Sequence, residues 1–286
     1  MTMDIIICGD VLDELKKIPD SSIDLIVCSP PYNKGGAAQG YLIDNVLYSH
    51  FRDNLPEGIY QQWQVDVLNE AYRTVKPGGS LFYNHKIRWN DGEIIHPYSW
   101  LCRTVWKVKQ EIIWDRKLAA NIRGWRFWQT DERIYWLYKP FKGKHGNIGV
   151  ELKSRHASLR SIWQITPEKK NRNSHPAPFP LALAARIIYS IFDEKKGKHV
   201  LDMFCGSGTT LLAAKLLGHH YIGIDNSPEY VKMARRRLEQ PPEHDIERFQ
   251  QEIALHKTNT SYDEFRSAKK STGRYKSKYR QRRQSS

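Results

Sequence analysis

Ser29-Pro30-Pro31-Tyr32 sets a small hydroxyl, a rigid backbone carbonyl and an aromatic ring within four consecutive residues. The two prolines hold the chain stiff and extended. This equipment suits chemistry on the exocyclic amino group of a nucleobase. The lone pair of such an amine is delocalised into the ring, so the nitrogen is a poor nucleophile. Acceptors that hold its two hydrogens draw it towards sp³ geometry, and an aromatic face can stack on an extruded base. An isolated Ser-Pro-Pro-Tyr is more often a plain turn. Here it follows Ile23-Asp24-Leu25-Ile26-Val27-Cys28, a short, β-branched, apolar run that reads as a buried parallel strand. Open α/β sheets bind ligands at the carboxyl ends of such strands.

A second string lies far along the chain. His199 to Cys205 is strand-like, Gly206-Ser207-Gly208-Thr209-Thr210 follows, and Leu211 to Leu217 has helical character up to Gly218. Another strand, Tyr221-Ile222-Gly223-Ile224-Asp225, ends in an acid. Glycines permit close approach of backbone to ligand, and a terminal acid can accept both ribose hydroxyls of a nucleoside. The loop is not Gly-x-Gly-x-x-Gly and no lysine follows it, which argues against a dinucleotide or a triphosphate.

The string Asp202-x-Phe204-x-Gly206-Ser207-Gly208-Thr209-Thr210 resembles the S-adenosylmethionine loop of amino-methylating DNA methyltransferases. The motif order, Ser-Pro-Pro-Tyr first and cofactor loop last, resembles the β group of that family, over roughly Asp4 to Gln240. Gly9-Asp10 is similar to the family motif that contacts the cofactor's adenine. Val75 to Gly79 is similar to its turn before a central strand. His175-Pro176-Ala177-Pro178-Phe179-Pro180 is similar to the segment that closes over the methionine end. The resemblance implies a doubly wound, mostly parallel α/β sheet of the class I S-adenosylmethionine-dependent methyltransferase type, with circularly permuted motif order. It implies Ser29, Pro30, Pro31 and Tyr32 as the catalytic set. Asp10, Asp202, Phe204, Gly206, Ser207, Gly208, Thr209, Asp225, His175 and Pro176 are the implied cofactor contacts. Family members with Ser at the first catalytic position are mostly cytosine-N4 enzymes, and those with Asp mostly adenine-N6 enzymes. Ser29 therefore favours cytosine.

The 286-residue chain carries a net charge of +14, which favours a polyanionic partner. Eight lysines and arginines and no acid fall between Ser267 and Ser286; this tail reads as disordered, either a DNA-holding arm or a solvated terminus. Four scattered cysteines, Cys8, Cys28, Cys102 and Cys205, read as free thiols, and neither a disulfide nor a metal site is expected. With no long apolar span, a cytosolic protein is expected. Cys28 precedes Ser29 in a strand, outside any Pro-Cys loop, so no covalent base intermediate is expected.

The chain divides into a catalytic half (residues 1–140), a target-recognition region (141–174), a cofactor-binding half (175–240) and a basic extension (241–286). Asn33 to Gly58 is a loop candidate over the site, and Tyr60 to Val75 reads as a helix. Helices are also read at Pro180 to Phe192 and Pro228 to Leu238. Glu111 to Trp114 and Arg133 to Tyr138 read as hairpin strands. Their connection holds Arg123, Arg126, Phe127 and Trp128, with Arg beside aromatics as stacking on nucleic acid requires. The sequence places Phe127 and Trp128 in the core. Lys142, Lys144, Lys153, Arg155 and Arg160 make the next region basic and complete the expected DNA contacts. The expected partners are double-stranded DNA and a restriction endonuclease acting on the same site; the protein itself is a monomer or homodimer. Two rivals stand beside this reading. A protein or small-molecule amine methyltransferase would carry the cofactor loop before the catalytic motif. A non-catalytic DNA-binding protein on the same scaffold would not need Ser29, Tyr32 and Asp225 together.

Overall fold

The computed structural model describes residues 4–33, 54–90, 92–119, 124, 126–143, 146–148, 160–167 and 179–258. His175, Pro176, Arg123, Lys144, Lys153 and Arg155 lie outside the described residues, as do most of the segment from Asn33 to Gly58 and the tail from Ser267. The elements run β1 (Ile5–Cys8), α1 (Val11–Lys17), β2 (Ile23–Cys28), α2 (Glu57–Thr74), β3 (Val75–His85), β4 (Arg88–Asn90), β5 (Glu93–Ile95), α3 (Tyr98–Leu101), β6 (Lys107–Asp115) and β7 (Asp131–Tyr138). They continue with β8 (Phe141–Gly143), β9 (Gly146–Ile148), β10 (Ile162–Gln164), α4 (Leu181–Phe192), β11 (His199–Asp202), α5 (Thr209–Leu216), β12 (His220–Asp225), α6 (Pro228–Glu239) and α7 (Glu243–Thr258).

Among the described residues, eight strands form one sheet in the order β1-β12-β11-β2-β3-β7-β6-β10. The strands from β1 across to β3 are mutually parallel, β10 is parallel to β6, and β7 runs against both its neighbours. This is the mostly parallel, doubly wound sheet expected from the sequence. The chain leaves β2 towards β3 and leaves β11 towards β12, so the strand order reverses between β2 and β11. That reversal is the switch point where such folds open a crevice.

Alternation along β2 explains the two layers around the sheet. Leu25 and Val27 face a core with α4, α5 and α6, whereas Ile26 and Cys28 face a core with α1, α2 and α3. Helix α4 is buried along most of its length and carries a single charged residue, Arg186. Leu183, Ile187, Ile188 and Ile191 are all buried. Truncating one of them to alanine would cost about 2–5 kcal/mol. Part of the cover over α4 is α7, which lies within the stretch read as a basic extension. Glu252 of α7 accepts both Arg186 Nε and Nη2 of α4, at 2.6 and 3.0 Å. Burial pushes the Glu252 carboxyl up, but hydrogen bonds from His256 and Arg186 outweigh it and hold the group below its usual value.

Strand β10, inside the expected recognition region, completes the far edge of the main sheet. Trp114 Nε1 donates to the Ile165 carbonyl at 2.7 Å and fixes that edge. At the beginning of β3, Gly79 has no room for a side chain. A Cβ there would lie 2.5 Å from Val75 Cγ1 and 3.0 Å from the Asp24 carbonyl. The family-like Val75-Lys76-Pro77-Gly78-Gly79 string therefore lets β3 run close against β2.

Candidate active site

One edge of the sheet collects every strand end of interest. Cys8 of β1 is in register with Asp225 of β12, and Asp202 of β11 with Gly223 of β12. Leu201 of β11 pairs with Ile26 of β2, and Cys28 of β2 with Tyr83 of β3. Asp10, Asp225, the Gly206 loop and Ser29 thus leave four adjacent strands at the same side. The two motifs, separated by more than half the chain, sit on neighbouring strands across the switch point. Because β7 is reversed, its beginning reaches this edge too: Asn84 of β3 pairs with Ile134, and His85 with Arg133.

The Ser-Pro-Pro-Tyr segment is anchored from several sides. Tyr60 of α2 donates its hydroxyl to the Pro31 carbonyl at 2.7 Å. Tyr32 is only 6% exposed, and its ring packs against His85 with centroids 4.6 Å apart. The Tyr32 hydroxyl donates to Glu132 Oε2 at 2.9 Å and lies 2.8 Å from Ser29 Oγ. A phenol has one proton. Since the carboxylate takes it, Ser29 must donate to Tyr32, which leaves the Ser29 lone pairs as acceptors. Asn84 Nδ2 reinforces this group, reaching Tyr32 Oη at 2.6 Å, Glu132 Oε2 at 2.9 Å and Ser29 Oγ at 3.3 Å. Arg116 at the end of β6 donates to Glu132 Oε1 at 3.1 Å, and both side chains are largely buried.

On the other side of the switch point, Asp225 Oδ2 accepts the Gly206 N–H and its Oδ1 the Ser227 N–H, each at 2.9 Å. The acid therefore fixes both the glycine loop and the start of α6. Gly206 and Gly208 have φ of 48° and 79°, in the left-handed region that favours glycine. A Cβ on Gly208 would lie 2.9 Å from that of Ala234, so α6 presses directly on the loop. Arg237 of α6 holds it from behind, donating to Thr209 Oγ1 at 2.7 Å and Ser207 Oγ at 3.2 Å. Asp245 of α7 accepts from Arg237 Nε at 2.8 Å. Asp202 is buried, accepts the Phe204 N–H at 3.0 Å and is hydrogen-bonded to Thr210. Burial pushes its carboxyl up to about 7 against those two hydrogen bonds, and the Asp225 charge adds to the rise. Phe204 is half-buried and meets Trp63 of α2 edge to face, with centroids 5.8 Å apart. Asp10 is exposed and caps α1, accepting the Leu12 N–H at 2.9 Å. These residues fit a nucleoside cofactor. Asp10 and Asp225 are hydrogen-bond acceptors one strand apart, a nucleoside brings hydroxyl and amino donors, and the positive-φ glycines bare the backbone between them.

Several other residues singled out in the sequence take definite places. Cys28 and Cys205 are buried, Cys8 and Cys102 exposed, and all four are free thiols. Burial, then the nearby Asp202 charge, raises the Cys28 thiol well above its ordinary value, which disfavours the thiolate that a nucleophile needs. Phe127 and Trp128 do not pack into the core: they are 99% and 59% exposed. They sit where the β6–β7 hairpin extends past the sheet, and the core layers do not reach them. Arg126, from the same connection, stacks its guanidinium 3.8 Å from the Trp89 ring centroid. Lys142 and Arg160 are exposed. Asn33 has φ of 52° and ties back to Leu55 through two hydrogen bonds of 2.8 and 2.7 Å, closing the base of the intervening segment. Arg88 secures the same base by a two-pronged pair with Glu57, both distances 2.8 Å.

Comparisons with known proteins agree with this geometry. A family model described as DNA methylase, of the N6 and N4 amino-methylating type, matches residues 23–236. The chain is 30% identical to DNA adenine methyltransferase YhdJ of Escherichia coli K12 over 258 residues, 82% of each protein. It is 31% identical to the type II methyltransferase M.HpaI of Haemophilus parainfluenzae, over 82% of this chain and 74% of that protein. Its fold superposes on the cytosine-N4-specific PvuII DNA methyltransferase with a TM-score of 0.67, at 18% identity, covering 90% of this chain and 94% of the other. The chain belongs to the N6/N4 DNA methylase family. It is a DNA amino-methyltransferase whose methyl donor is S-adenosyl-L-methionine. Among the described residues, no helix is long and apolar enough to cross a membrane.

Proposed function

We propose that the chain methylates the N4 amino group of cytosine at a specific site in double-stranded DNA. The observation that carries the amino-methylation reading is the polarity of the Ser29–Tyr32–Glu132 chain: every proton points towards Glu132, so Ser29 presents lone pairs where an amine must lose its resonance. Ser at the first catalytic position, as in most cytosine-N4 members, favours cytosine over adenine. Ser29 Oγ and the Pro30 carbonyl would accept the two amino hydrogens. Pro31 and Tyr60 would keep that carbonyl's segment from moving, and Tyr32 would bound the base pocket. The donor supplies a methyl carbon activated by a sulfonium charge. Asp225, Asp10, Asp202, Phe204 and the Gly206-Ser207-Gly208-Thr209 backbone would hold that donor, with His175 and Pro176 closing over it. Rate enhancement then comes from positioning and electrostatics. The target base would leave the helix to reach an edge buried between strand ends, at a cost of a few kcal/mol. The basic residues from Arg123 to Arg160 would hold the duplex, and residues 141–174 would read the site.

The adenine-N6 reading is supported by YhdJ, which covers most of the chain and is named for adenine. Both bases offer an amino group beside a ring nitrogen, and a hydroxyl acceptor serves either. A restriction–modification role with a partner endonuclease is supported by the type II name of M.HpaI. Methylation of unmodified genomic DNA, digestion to nucleosides and mass identification of the product decides the base. N4-methylcytosine is expected. N6-methyladenine alone would replace the cytosine reading, and Ser29→Ala should abolish whichever product forms.

A further inference from the structure

When an amine's electron pair forms the new bond to the methyl carbon, the carbon–sulfur pair leaves with sulfur. The nitrogen is then positively charged, with one proton too many. That proton has to go somewhere. We infer that Glu132 receives it through Ser29 and Tyr32. The ammonium proton passes to Ser29 Oγ, the Ser29 hydroxyl proton to Tyr32 Oη across 2.8 Å, and the phenolic proton to Glu132 Oε2 across 2.9 Å. Glu132 ends as a neutral acid, the base as a neutral secondary amine, and solvent resets the carboxyl after product leaves. This rests on the methyltransferase reading of the same site and assigns the residue that completes its proton balance.

The surroundings of Glu132 leave one of its oxygens to the relay. Arg116, from the end of β6, donates to Oε1, leaving Oε2 to the relay. Asn84 of β3 contributes a neutral N–H to Oε2 and none of the charge. On its own strand, Asp131 and Arg133 pair with each other, and Arg133 also pairs with Glu111. His85 faces the Tyr32 ring and hydrogen-bonds to Tyr60 and the Lys86 carbonyl, away from the carboxylate. Glu132 touches no substrate; it is a positioning residue that acts through Tyr32 and Ser29. A carboxylate that already holds a proton can accept no other, so a relay that ends on one predicts a rate that falls on the acid side.

The test is single-turnover methylation of unmodified genomic DNA by the full chain, wild type against Glu132→Gln, across pH. Glutamine still accepts the Tyr32 hydrogen bond but not its proton. The expected result is a rate about 100-fold lower, the usual scale when a proton acceptor is removed, with the acid limb of the profile gone. Calorimetric affinities for S-adenosylmethionine and DNA should stay within about twofold of wild type, because the relay acts only after both are bound. A variant with wild-type rate and acid limb overturns the inference. So does one slowed equally at all pH with the limb retained, because Glu132 would then only brace Tyr32. Should Glu132→Gln fail to fold, Tyr32→Phe keeps the ring and breaks the relay; an acid limb surviving in it overturns the inference as well. A wild-type chain that transfers no methyl to DNA would instead sink the methyltransferase reading beneath it.

Discussion

The carboxylate of Asp225 accepts the backbone N–H of Gly206 at 2.9 Å, so the acid ending β12 and the glycine loop after β11 form one rigid unit. Asp225→Ala therefore does two things. It removes an acceptor for the ribose and releases the loop. S-adenosylmethionine affinity should drop by about 1.5–3 kcal/mol or more, the size of a charge-assisted hydrogen bond. Calorimetric titration of the folded variant checks it, and unchanged affinity would remove Asp225 from the cofactor site.

Asp202 gives stability an unusual pH dependence. Its carboxyl titrates near 7 when folded, above the ordinary value that the unfolded chain shows. Between the two values the folded state binds more protons than the unfolded state, so its stability falls as pH rises through that window and levels off above it. Asp202→Asn should flatten this decline. Denaturant midpoints measured from mildly acidic to mildly alkaline pH test it; parallel curves for the two proteins would mean Asp202 is ionised throughout.

The exposed hairpin aromatics should serve DNA and not the cofactor. Phe127→Ala with Trp128→Ala should weaken DNA binding by about 1–3 kcal/mol for each ring that stacks on a base. Calorimetric S-adenosylmethionine affinity should be unchanged. Equal DNA affinity would make the pair a solvent-facing turn.

The basic tail should act without sequence preference. Lysines and arginines neutralise any phosphate alike, and only a rigid frame aims them at base edges. Deleting residues 267–286 should lower affinity for all DNA alike. The log–log salt slope should shrink by about 0.9 for each phosphate the tail had neutralised. A slope that does not move would make the tail a solvated terminus, and loss of site preference would relocate target recognition.

Both motifs were legible in the sequence because each is a local string: Ser29 to Tyr32, and Asp202 to Thr210, carry their meaning in consecutive residues. Their adjacency followed from the doubly wound pattern. Glu132, Asn84 and Arg116 were not legible. Their convergence depends on β7 pairing antiparallel with β3 in one register, and nothing local to any of the three states that register. Helix α7 was hidden by charge: Ile246, Phe249 and Ile253 fall at helical spacing, but among so many acids and bases that the stretch reads as an extension of the tail. Phe127 and Trp128 misled in the opposite direction. Composition marks them as core, and only the reach of the hairpin beyond the sheet puts them in solvent.

Among the described residues, strand β1 has a single neighbour, β12, and Arg235 of α6 also caps its Ile6 carbonyl at 2.9 Å. An element from early in the sequence is thus stitched to elements from late in it. A gene in which a linker joins α7 to β1, and which opens between Gln164 and Leu181, would keep every ladder of the sheet. It would be translated with the glycine loop ahead of Ser29. The order in which the ribosome delivers the two halves of the site is therefore separable from the place where they meet.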